Sequence, residues 1–251
     1  MDDYDASTYG ERLAEIYDEQ HGYMDESETD FLAELARGGR ALELGVGTGR
    51  VALPLAARGL EVHGIDASPA MIERLRAKPG GAGVEVTVGD FADVSAEGEF
   101  SLVYVVFNTF FVLLTQGEQV RCFGNVAEHL TPDGVFLVEA FVPDLSLYYR
   151  GHMFRTFNIQ ADSLSLQVAS LDPVAQTATG QQIFITERGV RLYPVKLRFA
   201  WPSELDLMAR LAGLRLRERW GGWRREPFTP RSEKHVSVYE RATSSRSSPS
   251  E

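Results

Sequence analysis

An apolar run, Ala41-Leu-Glu-Leu44, leads into a loop with glycines at 45, 47 and 49, and a helical pattern resumes at once with Val51-Ala-Leu-Pro-Leu-Ala-Ala57. A strand, a tight glycine loop and a helix in that order restrict the chain to folds in which strands alternate with covering helices. Glycine permits sharp turns and close backbone approach to a ligand, and the start of the helix presents unpaired N–H groups. This is the geometry of a nucleotide-cofactor site. Which cofactor it serves depends on the rest of the chain.

The alternation holds on both sides of the loop. Residues 8–19 and 27–37 read as helices, the second with Ser27 as N-cap and Phe31, Leu32 and Leu35 on one face. Strands are expected at 40–44, 61–66, 84–88, 100–107 and 135–142. Helices are expected up to about Arg58, over 69–77 with Pro69 at a favourable first position, and over 116–130. The near-continuous apolar run Phe100 to Phe107 fits a strand covered on both faces. From about Arg155 to Trp201 the pattern changes to three or four strand-like runs without a helix, which reads as an antiparallel meander. A helix over 202–212 and strands near 214–220 and 235–241 close the chain.

The fold class that follows is α/β: a Rossmann-like, doubly wound, mostly parallel sheet of seven strands with an inserted antiparallel β cap. The expected divisions are N-terminal helices over 1–39, a cofactor-binding core over 40–150, the inserted antiparallel segment over 151–201, the rest of the core sheet over 202–242, and a disordered tail over 243–251.

Several function classes drop out on composition. The chain of 251 residues carries 36 acidic against 25 basic side chains, a net charge of −11. Duplex nucleic acid is therefore not an expected partner, since phosphate binding needs clustered Lys and Arg. The longest apolar run, Leu102 to Leu114, is broken by Asn108 and Thr109 and is too short to span a bilayer. Met1-Asp-Asp-Tyr-Asp5 lacks the basic and apolar regions of a signal peptide. With the single cysteine, Cys122, read as a buried small hydrophobe, a reducing, cytoplasmic setting is expected. The histidines and carboxylates lack metal-ligand spacing, so no metal is expected.

The dinucleotide fingerprint G-x-G-x-x-G would need a third glycine where Arg50 stands. Instead Glu43 precedes Gly45, Gly47 and Gly49 in the spacing E-x-G-x-G-x-G, and Asp66 ends the next strand in Gly-Ile-Asp-Ala-Ser-Pro-Ala-Met71. Gly89-Asp90-Phe91 and Pro132-Asp-Gly134 follow in order. These four motifs, in register over residues 40–140, resemble the class I S-adenosylmethionine (SAM) dependent methyltransferases. The resemblance implies SAM as cofactor and S-adenosylhomocysteine as product. It implies Asp66 on the ribose with Ala67 beside it, Met71 against the adenine, and Gly89, Asp90 and Phe91 around the adenine amine. The chemistry agrees: a carboxylate accepts from a ribose diol or an amine, and Glu43 can place an ammonium directly or through water.

Ligands in open α/β sheets sit at the carboxyl ends of the strands, which puts Phe107 and Asn108 beside the sulfonium, with Phe111 on the acceptor side. The segment from Tyr9 to Asp18 resembles the lid helix of small-molecule methyltransferases, including the aminosugar N-methyltransferases of antibiotic pathways. By that resemblance Tyr9 and Tyr17 reach the methionine end of SAM or the acceptor. The cap and the segment Trp220-Gly-Gly-Trp223…His235 are similar to the same group, so Trp220, Trp223 and His235 would wall the acceptor pocket. A general base is needed only if the acceptor must lose a proton. His235 leads as base, followed by His21, with Tyr17 a further catalytic candidate, while His63 and His129 are structural. The expected reaction is in-line methyl transfer to nitrogen or oxygen of a small molecule of secondary metabolism, with carbon and a homodimer left open. An NAD(P)-linked oxidoreductase and a non-catalytic SAM-binding or interaction protein stand as alternatives.

Overall fold

The computed structural model describes residues 4–21 and 25–242; the tail expected to be disordered lies outside them. The parallel part of the main sheet is built from β1 (Ala41–Leu44), β2 (Val62–Asp66), β3 (Glu85–Val88), β4 (Phe100–Val105) and β5 (Leu130–Phe141). Four strands of a second sheet follow: β6 (His152–Ile159), β7 (Ser163–Asp172), β8 (Thr177–Thr186) and β9 (Gly189–Arg198). The main sheet is completed by β10 (Leu214–Trp220) and β11 (Lys234–Arg241), giving the order β10-β11-β5-β4-β1-β2-β3. β1 lies parallel between β2 and β4, with Leu42 opposite His63 and Glu43 opposite Tyr104. The chain crosses from one side of β1 to the other there, and a crevice opens beyond such strands' carboxyl ends.

Alternation along β1 explains how both faces are filled. Leu42 and Leu44 join Phe110, Phe123, Phe136 and Tyr239 in one core, whereas Ala41 joins Leu32, Leu55, Leu102 and Leu137 in the other. The first core lies beneath α6 (Gln116–His129) and α7 (Pro202–Leu211), and Cys122 is fully buried within it. The second is covered by α3 (Glu26–Ala36), α4 (Ala52–Ala57) and α5 (Pro69–Ala77). None of the helices among the described residues is long and apolar enough to cross a membrane.

Three sequence expectations change in detail. The helix expected over 8–19 is two helices, α1 (Thr8–Leu13) and α2 (Tyr17–His21). The N-cap of α3 is Asp25, whose carboxylate accepts from Ser27 N at 3.0 Å, so Ser27 is itself inside the helix. β4 stops at Val105, because Phe107 and Asn108 turn into the left-handed region with φ of 58° and 64°.

The inserted meander is a complete four-stranded antiparallel sheet in the order β6-β7-β8-β9. At its base a buried Arg198 binds Gln119 of α6 at 2.5 Å and Glu204 of α7 at 2.7 Å, which ties the cap to the core.

Candidate cofactor and acceptor site

A single cavity of about 1440 Å³ runs from the glycine loop to the cap. Gly45, Gly47, Asp66, Ala67, Met71, Asp90 and Phe91 line its core end. Asp66 organises that end: its Oδ2 accepts from Gly47 N at 2.7 Å and its Oδ1 from Ser68 N at 2.9 Å. Burial raises its pKa despite these bonds. Gly45 has φ +74°, and a Cβ there would run into the Thr109 methyl. Gly47, at φ +55°, has open space where a side chain would stand, so the backbone itself meets the cavity.

The neighbouring expected residues fall behind this surface. Gly49 is wedged against Leu53 and Leu75 and lies outside the lining, and Gly89 donates its N–H to the Asp66 carbonyl at 2.9 Å. Glu43 sits buried beneath the loop and accepts from the Tyr104 hydroxyl at 2.9 Å. Its pKa is pushed up to about 8 by burial.

On the lid side, Tyr9, Tyr17 and His21 line the same cavity. The His21 ring packs edge-on against Tyr17 at 5.1 Å and against Phe107 at 5.2 Å. Its Nε2 is buried with no hydrogen-bond partner among the described residues. Burial first, then the Arg50 charge, lowers the His21 pKa, which keeps the ring neutral near pH 7. Burial raises the Tyr17 pKa to about 12 and that of Tyr9 still further, so both hydroxyls stay protonated. Two carboxylates hold the lid down. Glu11 accepts from Ser68 Oγ at 2.8 Å and Ala70 N at 3.0 Å, and Asp18 accepts from Thr48 Oγ1 at 2.6 Å and Lys78 Nζ at 2.8 Å.

The left-handed pair Phe107 and Asn108 is pinned from β5. Phe107 N donates to Glu139 Oε2 at 2.5 Å, and Asn108 Oδ1 accepts from Phe141 N at 2.7 Å. Both residues line the cavity, whereas Phe111 is fully buried against Phe141 in the core.

Residues 41–134 match the family described as "Methyltransferase domain". The chain is 32% identical over 213 residues to the cypemycin N-terminal methyltransferase of a Streptomyces species, covering 81% of this chain and 84% of that one. Among solved structures it is similar to the CcbJ methyltransferase of Streptomyces caelestis, at 41% identity and a TM-score of 0.88, over 95% of this chain and 100% of that one. The protein belongs to the class I SAM-dependent methyltransferases. The fold also matches CalS10, an amino pentose methyltransferase from Micromonospora echinaspora involved in calicheamicin biosynthesis, with a TM-score of 0.66 at 20% identity, over 90% of this chain and 97% of that one.

In this methyltransferase the segment after β10 does not bring its aromatic residues or His235 to the cavity. Trp223 packs edge-on against Phe31 of α3 at 5.9 Å, and Trp220 joins the same core. His235 is fully buried on β11 opposite Ala140, with Nδ1 2.9 Å from Ser237 Oγ and the Phe228 ring beside it. Burial, then the nearby Arg219 charge, lowers its pKa to about 3. Only Pro230, Arg231, Ser232 and Glu233 of that segment line the cavity. Sequence reasoning passed over Arg50, which it read merely as a missing glycine. The Arg50 guanidinium lies 4.6 Å over the Phe107 ring and 3.7 Å from Glu28, with its side chain 10% exposed. A cation at the position after the last loop glycine was the available signal.

Proposed function

We propose that the enzyme transfers a methyl group from SAM to a nitrogen or oxygen of a small molecule of secondary metabolism. The observation that carries this reading is one cavity lined at one end by the Gly45–Gly47 loop and Asp66 and at the other by the cap. Its volume exceeds the usual range for one small ligand, roughly 300–1,000 Å³, and so accommodates cofactor and acceptor together.

The residues present fit the cofactor. Each Asp66 oxygen receives one backbone N–H and keeps a lone pair for a ribose hydroxyl. Asp90 and Phe91 face the adenine and Met71 packs against it, while Arg50, outside the lining, backs the Phe107 ring from behind the cavity. Bound SAM supplies an electrophilic methyl on a sulfonium. The chain's own contribution is alignment and exclusion of water: Tyr9 and Tyr17 from the lid and Phe107 from the end of β4 enclose the place where the halves of the cavity meet. His21, neutral and with an Nε2 that no described residue hydrogen-bonds, takes the base role expected first of His235. CalS10, which shares the fold, is an amino pentose methyltransferase involved in calicheamicin biosynthesis, which supports a metabolite acceptor.

The test is transfer of labelled methyl from SAM into an extract of the producing cells, run beside calorimetric titration with SAM and S-adenosylhomocysteine. Labelled small-molecule product and micromolar-scale binding are expected. Binding of neither compound would sink the reading, and binding without any labelled product would favour a non-catalytic SAM-binding protein.

A further inference from the structure

The cap presents a row of polar side chains to the cavity that no part of the cofactor reading uses. Antiparallel register sets Arg155 of β6 opposite Gln167 of β7, and Gln167 opposite Gln182 of β8. Residues directly opposite one another share a face of the sheet, and all three line the cavity. Gln182 Oε1 is buried and receives no hydrogen bond from any described residue. The adjoining row, Met153, Ala169, Gly180 and Val195, carries no polar side-chain atom beyond a thioether. Of that row Met153 and Val195 line the cavity, and Lys196 of β9 is the cap's further polar lining residue. Tyr193, opposite Gln182, closes the polar row on the lid side by packing into the cluster with Leu13 and Met71.

A buried amide oxygen without a partner is costly, and such atoms are usually satisfied. From these positions we infer that Arg155, Gln167 and Gln182 form an acceptor-recognition subsite for an uncharged group that both donates and accepts hydrogen bonds. Strands lie about 4.8 Å apart, so the row spans roughly 10 Å. Gln182 requires a donor, Arg155 requires an acceptor, and Gln167 offers one of each. An ammonium satisfies Gln182 but meets the Arg155 charge. A carboxylate satisfies Arg155 but faces the Gln182 oxygen. A carboxamide or a set of hydroxyls satisfies all three.

This inference rests on the methyltransferase reading, and the experiment separates the two. Calorimetry with S-adenosylhomocysteine tests the parent reading by itself. Saturation-transfer NMR then follows propionamide, methyl α-glucopyranoside and propylammonium on the full chain, with and without S-adenosylhomocysteine. At least one neutral probe should bind, with its response falling about tenfold in Gln182→Leu, while propylammonium should not bind. A response from propionamide alone identifies a carboxamide acceptor, and one from the glucoside alone a hydroxylated acceptor. Gln182→Glu should gain propylammonium, a readout that does not depend on how well Gln182→Leu folds. No neutral probe binding, or equal binding by wild type and a Gln182→Leu protein that still takes S-adenosylhomocysteine, would overturn the subsite.

Discussion

Asp66 serves the loop and the ligand at once. Its carboxylate fastens Gly47 and Ser68 through their N–H groups, and the same oxygens face the cavity. Hydrogen bonds to a charged group contribute about 1.5–3 kcal/mol each. Asp66→Ala should therefore weaken SAM binding by about a hundredfold in calorimetry while the chain still folds, with Tm lowered by the slackened loop. Unchanged affinity would remove Asp66 from the site. Asp66 was legible because it ends a strand a fixed distance after the glycine loop, where chain-local spacing decides its place. His235 was not, because its surroundings depend on which residue of β5 it faces. Pairing with Ala140 sends it to the face that packs beneath α6 and α7, away from the cavity. Its neutral ring has a consequence for stability. The unfolded chain takes up a proton near pH 6.5, whereas the folded pKa is about 3. Between these values the unfolded state binds more protons, so stability falls as pH falls. At pH 4.5 the loss is roughly 2–3 kcal/mol. Glu43, with its pKa raised, acts in the opposite sense between about pH 8 and its ordinary carboxylate range. The measurement is thus a difference: denaturant titrations at pH 7 and 4.5 should show a smaller acid loss for His235→Gln than for wild type. Equal losses would show that the ring is protonated in the fold.

At the scale of elements, the lid is where local sequence misled. Residues 11–21 contain neither glycine nor proline, and the pattern supports one continuous helix. The break between α1 and α2 instead follows from two attachments to different parts of the core. Glu11 takes the Ser68 and Ala70 groups at the start of α5, and Asp18 takes Thr48 of the glycine loop together with Lys78 beyond the end of α5. Lys78 also donates to the Thr48 carbonyl at 2.8 Å, so it joins lid and loop in one contact. Lys78→Met removes both bonds and leaves Asp18 held by Thr48 alone. Since the pair is partly exposed, its loss should cost no more than about 1 kcal/mol globally. The local effect should be larger: faster amide exchange over residues 14–21 and quicker release of bound S-adenosylhomocysteine, by about threefold to tenfold in stopped-flow chase. Exchange and release rates equal to wild type would show that the lid does not depend on this latch.

The whole molecule joins a sheet whose pattern was readable to a cap whose attachment was not. Both faces of β1, β4 and β5 are covered, and their apolar runs together with the helical periodicities between them already imply a doubly wound sheet. The cap's strands were likewise visible as alternating runs, but the side chains that fix it to the core are far apart in sequence and individually unremarkable as glutamines, an arginine and a glutamate. In the fold they converge. Arg198 at the end of β9 binds Gln119 Oε1, Gln176 Oε1 and Glu204 Oε1, while Gln119 Nε2 donates to the carbonyls of Leu113 and Arg198. Arg198 is only 5% exposed, so its removal leaves the Gln119 carbonyl without its partner and the Glu204 carboxylate held by the Gln116 and Gln176 amides alone. Arg198→Met should cost about 2–3 kcal/mol, a fall in Tm of roughly 5–10 °C for a chain of this size. Arg198→Met combined with Glu204→Leu removes both charges and should recover much of that loss, because an apolar pair of similar volume can replace a buried ion pair. The same variants divide the cavity by function. Leu113, Leu197 and Phe199 line its cap end beside this network, whereas Asp66 ends β2 and Asp90 lies just beyond β3. S-adenosylhomocysteine affinity should therefore stay within about twofold of wild type in Arg198→Met, while methyl transfer to the acceptor found by labelling should fall at least tenfold. A parallel loss of cofactor affinity would mean that the cap and the cofactor end move as one body, and that the cap shapes more of the site than the acceptor half.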